Sequence, residues 1–132
     1  MKIFKNLFFG LVIMFVISGC SVIEPHISKE YKVQTRSIEK DFQCAEESIN
    51  FISKTQQNWE TKITKKDTSA RVFQTGDYDE WNRMWFRVKI KFYDDYVRID
   101  VKGSGLYLKD LGVEKALNDF APLLIECINK KD

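Results

Sequence analysis

Histidine is almost missing from this sequence: its 132 residues include one, His26, together with 2 Pro, 6 Gly and 3 Cys. So little proline and glycine excludes collagen-like and low-complexity classes. With a single His, the usual base of Ser-His and Cys-His nucleophilic pairs is not available on a rigid scaffold. An excess of one charge is also lacking. The 21 Lys and Arg stand against 19 Asp and Glu, and Lys2 and Lys5 at the N-terminus account for the difference. A chain that is otherwise neutral lacks the basic surplus on which phosphate neutralisation depends, which argues against a nucleic-acid partner. Long apolar runs are absent too, since none reaches the roughly 20 residues that span a bilayer. What is present, 44% hydrophobic and 30% charged residues, suits one globular domain with one core.

The N-terminus has the layout of an export signal. Lys2 and Lys5 precede an apolar stretch of about eleven residues, Leu7 to Ile17, after which the chain turns polar. The stretch ends in Ile17-Ser18-Gly19-Cys20, which resembles the lipobox of bacterial lipoproteins: an aliphatic residue, a small residue, Gly or Ala, and then the invariant Cys. The first of these is Ile17, where Leu is commoner in the family. The resemblance implies that residues 1–19 are a cleaved signal peptide and that Cys20 becomes the diacylated first residue, usually with a third acyl chain on its new amino group. At ~0.8 kcal/mol per buried CH₂, two or three chains anchor a protein stably. By the same resemblance, Ser21 in place of the Asp that retains Gram-negative lipoproteins at the inner membrane implies a periplasm-facing anchor in the outer membrane. In a Gram-positive host the anchor would lie in the outer leaflet of the plasma membrane.

With Cys20 assigned to lipid, Cys44 and Cys127 remain, in a compartment where disulfides persist. They either pair, closing a loop that the chain-entropy model values at about 4–5 kcal/mol, or stay as buried free thiols that behave as small hydrophobes. Two isolated cysteines and one His do not make a metal set with the usual close spacing, so neither a metal nor any other cofactor is expected.

Residues 20–36 contain Pro25 and His26, show no sustained period, and read as a lipidated N-terminus and flexible tether with a reach of roughly 20–25 Å. Residues 37–132 read as the single domain. Ile38, Phe42, Ala45, Ile49 and Ile52 recur at helical spacing, which predicts an amphipathic helix over about 38–55. Alternation predicts strands over 59–64, 70–75, 84–92 and 96–102, the last two joined through Asp94-Asp95 as a hairpin. From Leu106 a helical stripe returns through Val113, Leu117, Phe120, Leu124 and Cys127. Asp110 is its candidate N-cap, and Pro122 is expected to give either a kink or two short helices meeting near Asp119. The fold class expected is α+β: an antiparallel four-stranded meander with two helices on one face, in the order α-β-β-β-β-α.

Catalytic signals are weak. Asp94-Asp95 and Asp77-Tyr78-Asp79-Glu80 offer paired carboxylates of the kind glycosidases use, but Asp-Asp in a tight turn is ordinary hairpin chemistry. Lys102-Gly103-Ser104-Gly105 lacks P-loop spacing. No catalytic residue is assigned, and a non-enzyme is expected. The solvent face of the hairpin is more informative. Arg87, Lys89, Lys91 and Arg98, with Trp85 at one end and Trp81 in the preceding loop, form an aromatic-basic strip that suits an envelope protein or an anionic envelope polymer. Long Lys and Arg stems simply covering an exposed sheet is the plainer reading of the same strip. A carrier of a lipophilic ligand between helices and sheet is the alternative function, and a small hydrolase is a more distant third.

Overall fold

The computed structural model describes residues 26–34, 37–79, 85–103 and 112–130. Seven elements follow in the order β1 (His26–Lys32), α1 (Ile38–Thr55), β2 (Ile63–Asp67), β3 (Val72–Thr75), β4 (Arg87–Phe92), β5 (Tyr96–Lys102) and α2 (Val113–Lys130). The class is α+β with an antiparallel sheet and two helices, as expected, but the sheet has five strands in the order β1-β5-β4-β3-β2. The additional strand is β1, which comes from residues assigned to the tether.

β1 pairs with β5 over its whole length, from His26 opposite Lys102 to Lys32 opposite Tyr96. Ile27, Lys29 and Tyr31 are half-buried on the helix side, and Ser28, Glu30 and Lys32 are exposed. With Lys29 between the two apolar positions, the period-2 signal is faint, which is why the sequence reads as tether there. β2 to β5 form the meander. β2 is shifted towards the C-terminus, because Trp59 makes only an isolated bridge to Phe86 and the ladder begins at Ile63. The ladder of β4 begins at Arg87, since Trp85 takes a positive φ of 70° that ends the extended run.

α1 starts at Ser37, whose Oγ accepts from the Lys40 backbone N–H at 3.5 Å and donates to Glu39 at 2.8 Å. Its end is marked by the Gln56 N–H, bonded to the Ile52 carbonyl at 2.7 Å. α2 follows Gly112, at φ 84°, and runs unbroken through Pro122. The chain does not divide into two short helices near Asp119, because Pro122 and Asn118 both lie on the exposed face, where water can satisfy the carbonyl that the proline leaves without a donor. Asp110 lies outside the described residues.

Both helices cover one face of the sheet. Phe42, Ile49 and Ile52 of α1 and Leu117, Phe120 and Leu124 of α2 meet Phe73, Val88, Ile90, Phe92, Val97, Ile99 and Val101, all at most 5% exposed. The helices run antiparallel. Near the start of α1 and the end of α2, Cys44 and Cys127 form a disulfide with a Cα separation of 5.5 Å. Near the end of α1, Gln56 Nε2 donates to Asp119 Oδ2 at 2.9 Å. Among the described residues, no helix is long and apolar enough to cross a membrane.

Candidate binding face

Pleating sends alternate residues of the sheet away from the helices, and register stacks them into rows. Ser28, Asp100, Lys89, Gln74 and Lys65 share one row; Glu30, Arg98, Lys91, Val72 and Asp67 share the next. The meander thus brings Lys89, Lys91 and Arg98 onto one face, as the alternation predicts. This face also carries acids. Arg98 Nε donates to Ser28 Oγ at 2.9 Å and to Asp100 Oδ1 at 3.3 Å, so its charge is partly answered within the sheet.

Sequence reasoning counts the 76–83 loop in the binding surface but singles out Trp81 there, not the tyrosine that organises this face. Tyr78, in the loop after β3, lies with its ring 5.9 Å from Lys89 Nζ and 5.1 Å from Lys102 Nζ, and its carbonyl accepts from Lys102 at 2.7 Å. Only its position two residues past a glycine that ends a strand hinted at such a fold-back. At the other end of the face Lys91 Nζ stands 5.3 Å from the Tyr93 ring, which stacks on Tyr96 at 4.2 Å and 8°. The Tyr96 hydroxyl is held above its ordinary pKa by desolvation first, then by Tyr93, Glu30 and Asp95.

The remaining candidates divide. Arg87 acts as a brace for the loop: a terminal guanidinium nitrogen donates to the Asp77 carbonyl, and its Nε is buried without a hydrogen-bond partner. Trp85 is 42% exposed and stands at the start of β4, outside the Lys-Arg rows. Trp81 lies outside the described residues. The two sets of paired carboxylates that the sequence offers lie at opposite ends of the sheet, and Glu80 of one set lies outside the described residues. Asp77 and Asp79 follow the end of β3, whereas Asp94 and Asp95 turn between β4 and β5 at the opposite end of the sheet, where Asp94 pairs with Arg71 at 2.8 Å.

Two other features sit on the helix side. Asp41, in the first turn of α1, is 3% exposed and its Oδ2 has no hydrogen-bond partner. Burial pushes its pKa up to about 6, with Arg71 pulling the other way. At the end of α1, a cleft of about 440 Å³ with a mixed polar and apolar wall is lined by Gln56, Gln57, Asn58, Phe86, Gly112, Lys115, Ala116 and Asp119. Hydrogen bonds from Lys115 and then Gln56 hold the Asp119 carboxyl below its usual range.

The chain matches no protein-family model and no curated protein sequence.

Proposed function

We propose that this chain is a lipid-anchored cell-envelope module, held in the outer membrane of a Gram-negative host by acyl chains on Cys20, that binds an acidic partner surface through the helix-free face of its sheet. The partner is an envelope protein or an anionic envelope polymer, and no catalytic step is involved. The observation that carries this reading is that Lys89, Lys91 and Lys102, in three neighbouring rows of one sheet face, have two tyrosine rings, Tyr78 and Tyr93, within 6 Å of their ammonium groups. Cations backed by aromatic faces are suited to desolvated contact with carboxylates or phosphates, and tyrosine adds contact area at little entropic cost.

The carrier alternative needs apolar room between helices and sheet. That layer is occupied by Phe42, Phe73, Phe92 and Phe120 with the surrounding aliphatics, each at most 5% exposed. The cleft at the end of α1 mixes amides, a lysine and a carboxylate with Phe86, Gly112 and Ala116, so its wall is not distinctly lipophilic.

The test is capture from envelope extract by wild type and by the Lys89→Glu, Lys91→Glu, Arg98→Glu triple variant. All three positions are on the solvent side of the sheet, and the variant is used once its circular dichroism spectrum matches that of the wild type. The wild type is expected to capture a partner that 0.5 M salt releases and the variant does not bind. Equal capture by both would contradict the reading.

A further inference from the structure

Because β1 begins at His26, only Ser21–Pro25 separate Cys20 from the folded sheet. At 3.3–3.6 Å per residue, that leash reaches at most about 20 Å when fully stretched, and the headgroup region on one side of a bilayer takes up roughly 5–8 Å of it. A leash so short fixes which end of the domain meets the membrane. Antiparallel pairing places the start of β1 beside the end of β5, and the end of β5 beside the start of β4, as His26 opposite Lys102 and Lys102 opposite Arg87 record. Trp85 precedes Arg87 at that end. The Asp94–Asp95 turn and the first turns of α1 belong to the other.

The distribution of exposed apolar groups agrees. Among the described residues the large exposed hydrophobic side chains are Trp85, at 42%, and Phe51, at 57%. Phe51 lies in the last turn and a half of α1, which leads through Asn58 to the backbone of Phe86, so both rings occupy the half of the molecule nearest the leash. Charges of both signs accompany them: Lys62, Arg87 and Lys102 with Asp77 and Asp79. That mixture complements a zwitterionic headgroup layer. Trp has the amphipathic ring that settles at such interfaces.

We propose that this end of the domain rests on the headgroup layer of the membrane that holds the Cys20 acyl chains, with Trp85 as the contact residue and the Asp94–Asp95 turn directed away. The inference rests on the lipid-anchor reading. It is tested with the full lipidated protein in nanodiscs of phosphatidylcholine doped with a headgroup-nitroxide lipid, observed by two-dimensional NMR. Loss of the amide signals of Trp85, Arg87, Lys102 and Gly103 and of the Trp85 indole signal is expected, with those of Ser69, Asp94 and Asp95 retained. A Gly/Ser spacer of some twenty residues inserted after Ser21 should bring the lost signals back. Uniform loss or loss at the Asp94 end would overturn the orientation; a spacer without effect would overturn the short leash as its cause; survival of the Trp85 indole signal alone would overturn its role as contact residue. An intact mass without acyl groups would instead overturn the lipid anchor itself.

Discussion

Gly76 sits at φ 60°, and a Cβ there would lie 2.9 Å from Glu60 Cγ and 3.0 Å from Arg87 Nε. Left-handed backbone and crowding act together, so Gly76→Ala should cost about 1–3 kcal/mol in chemical denaturation. The same change should weaken partner binding, because the turn at Gly76 is what lays Tyr78 between Lys89 and Lys102. Asp41 gives a pH signature. Its folded-state pKa is raised from 3.8 to about 6, so between those values the folded protein holds more protons than the unfolded chain. Stability contributed by the protonated carboxyl is therefore lost as pH rises from about 4 to about 6, and the loss is complete above that. The difference in unfolding free energy between wild type and Asp41→Asn should change by about 1–3 kcal/mol across this window, to the disadvantage of the wild type at pH 7. A pH-independent difference would show that the carboxyl is not desolvated in the folded protein.

Among the elements, β1 contributes most beyond the expected fold. A chain shortened to begin at Val33 should be markedly less stable than one beginning at His26, since it loses the Ile27 and Tyr31 contacts and leaves β5 as an unpaired edge. Equal urea midpoints would show that β1 is a dispensable tether. Sequence periodicity was sufficient for α1 and for the β4–β5 hairpin, because strongly apolar positions recur at fixed spacing where one face is fully buried. It failed at β1, where Lys29 occupies the central inward position of a half-buried edge strand, and in allowing a division of α2 near Asp119, where solvent meets the hydrogen bond lost at Pro122. Lys89, Lys91 and Arg98 were legible as one face from alternation alone. Tyr78 was not, because a loop has no period and only the fold-back shows what its ring lies beside. The disulfide joins the start of α1 to the end of α2 across 83 residues of sequence. Replacing Cys127 with Ser should cost about 2–5 kcal/mol, read by denaturation under oxidising conditions.

In the whole molecule, a helix-on-sheet domain stapled by a disulfide leaves its basic-aromatic sheet face uncovered by the helices, and the proposed lipid anchor at Cys20 lies six residues before the start of β1. The net charge of the whole chain, +2, says little about this; Lys89, Lys91 and Lys102 are brought onto one face by register and gain their character from the tyrosines beside them. Lipidation at Cys20 is the claim on which the location, the leash and the orientation all depend. Intact mass spectrometry of the protein extracted from host membranes tests it most directly. The expected species is a chain beginning at Cys20 and carrying two or three acyl groups, with Cys20→Ala abolishing membrane retention. A chain retaining residues 1–19 with an unmodified Cys20, or a Cys20→Ala protein still in the membrane fraction, would contradict it.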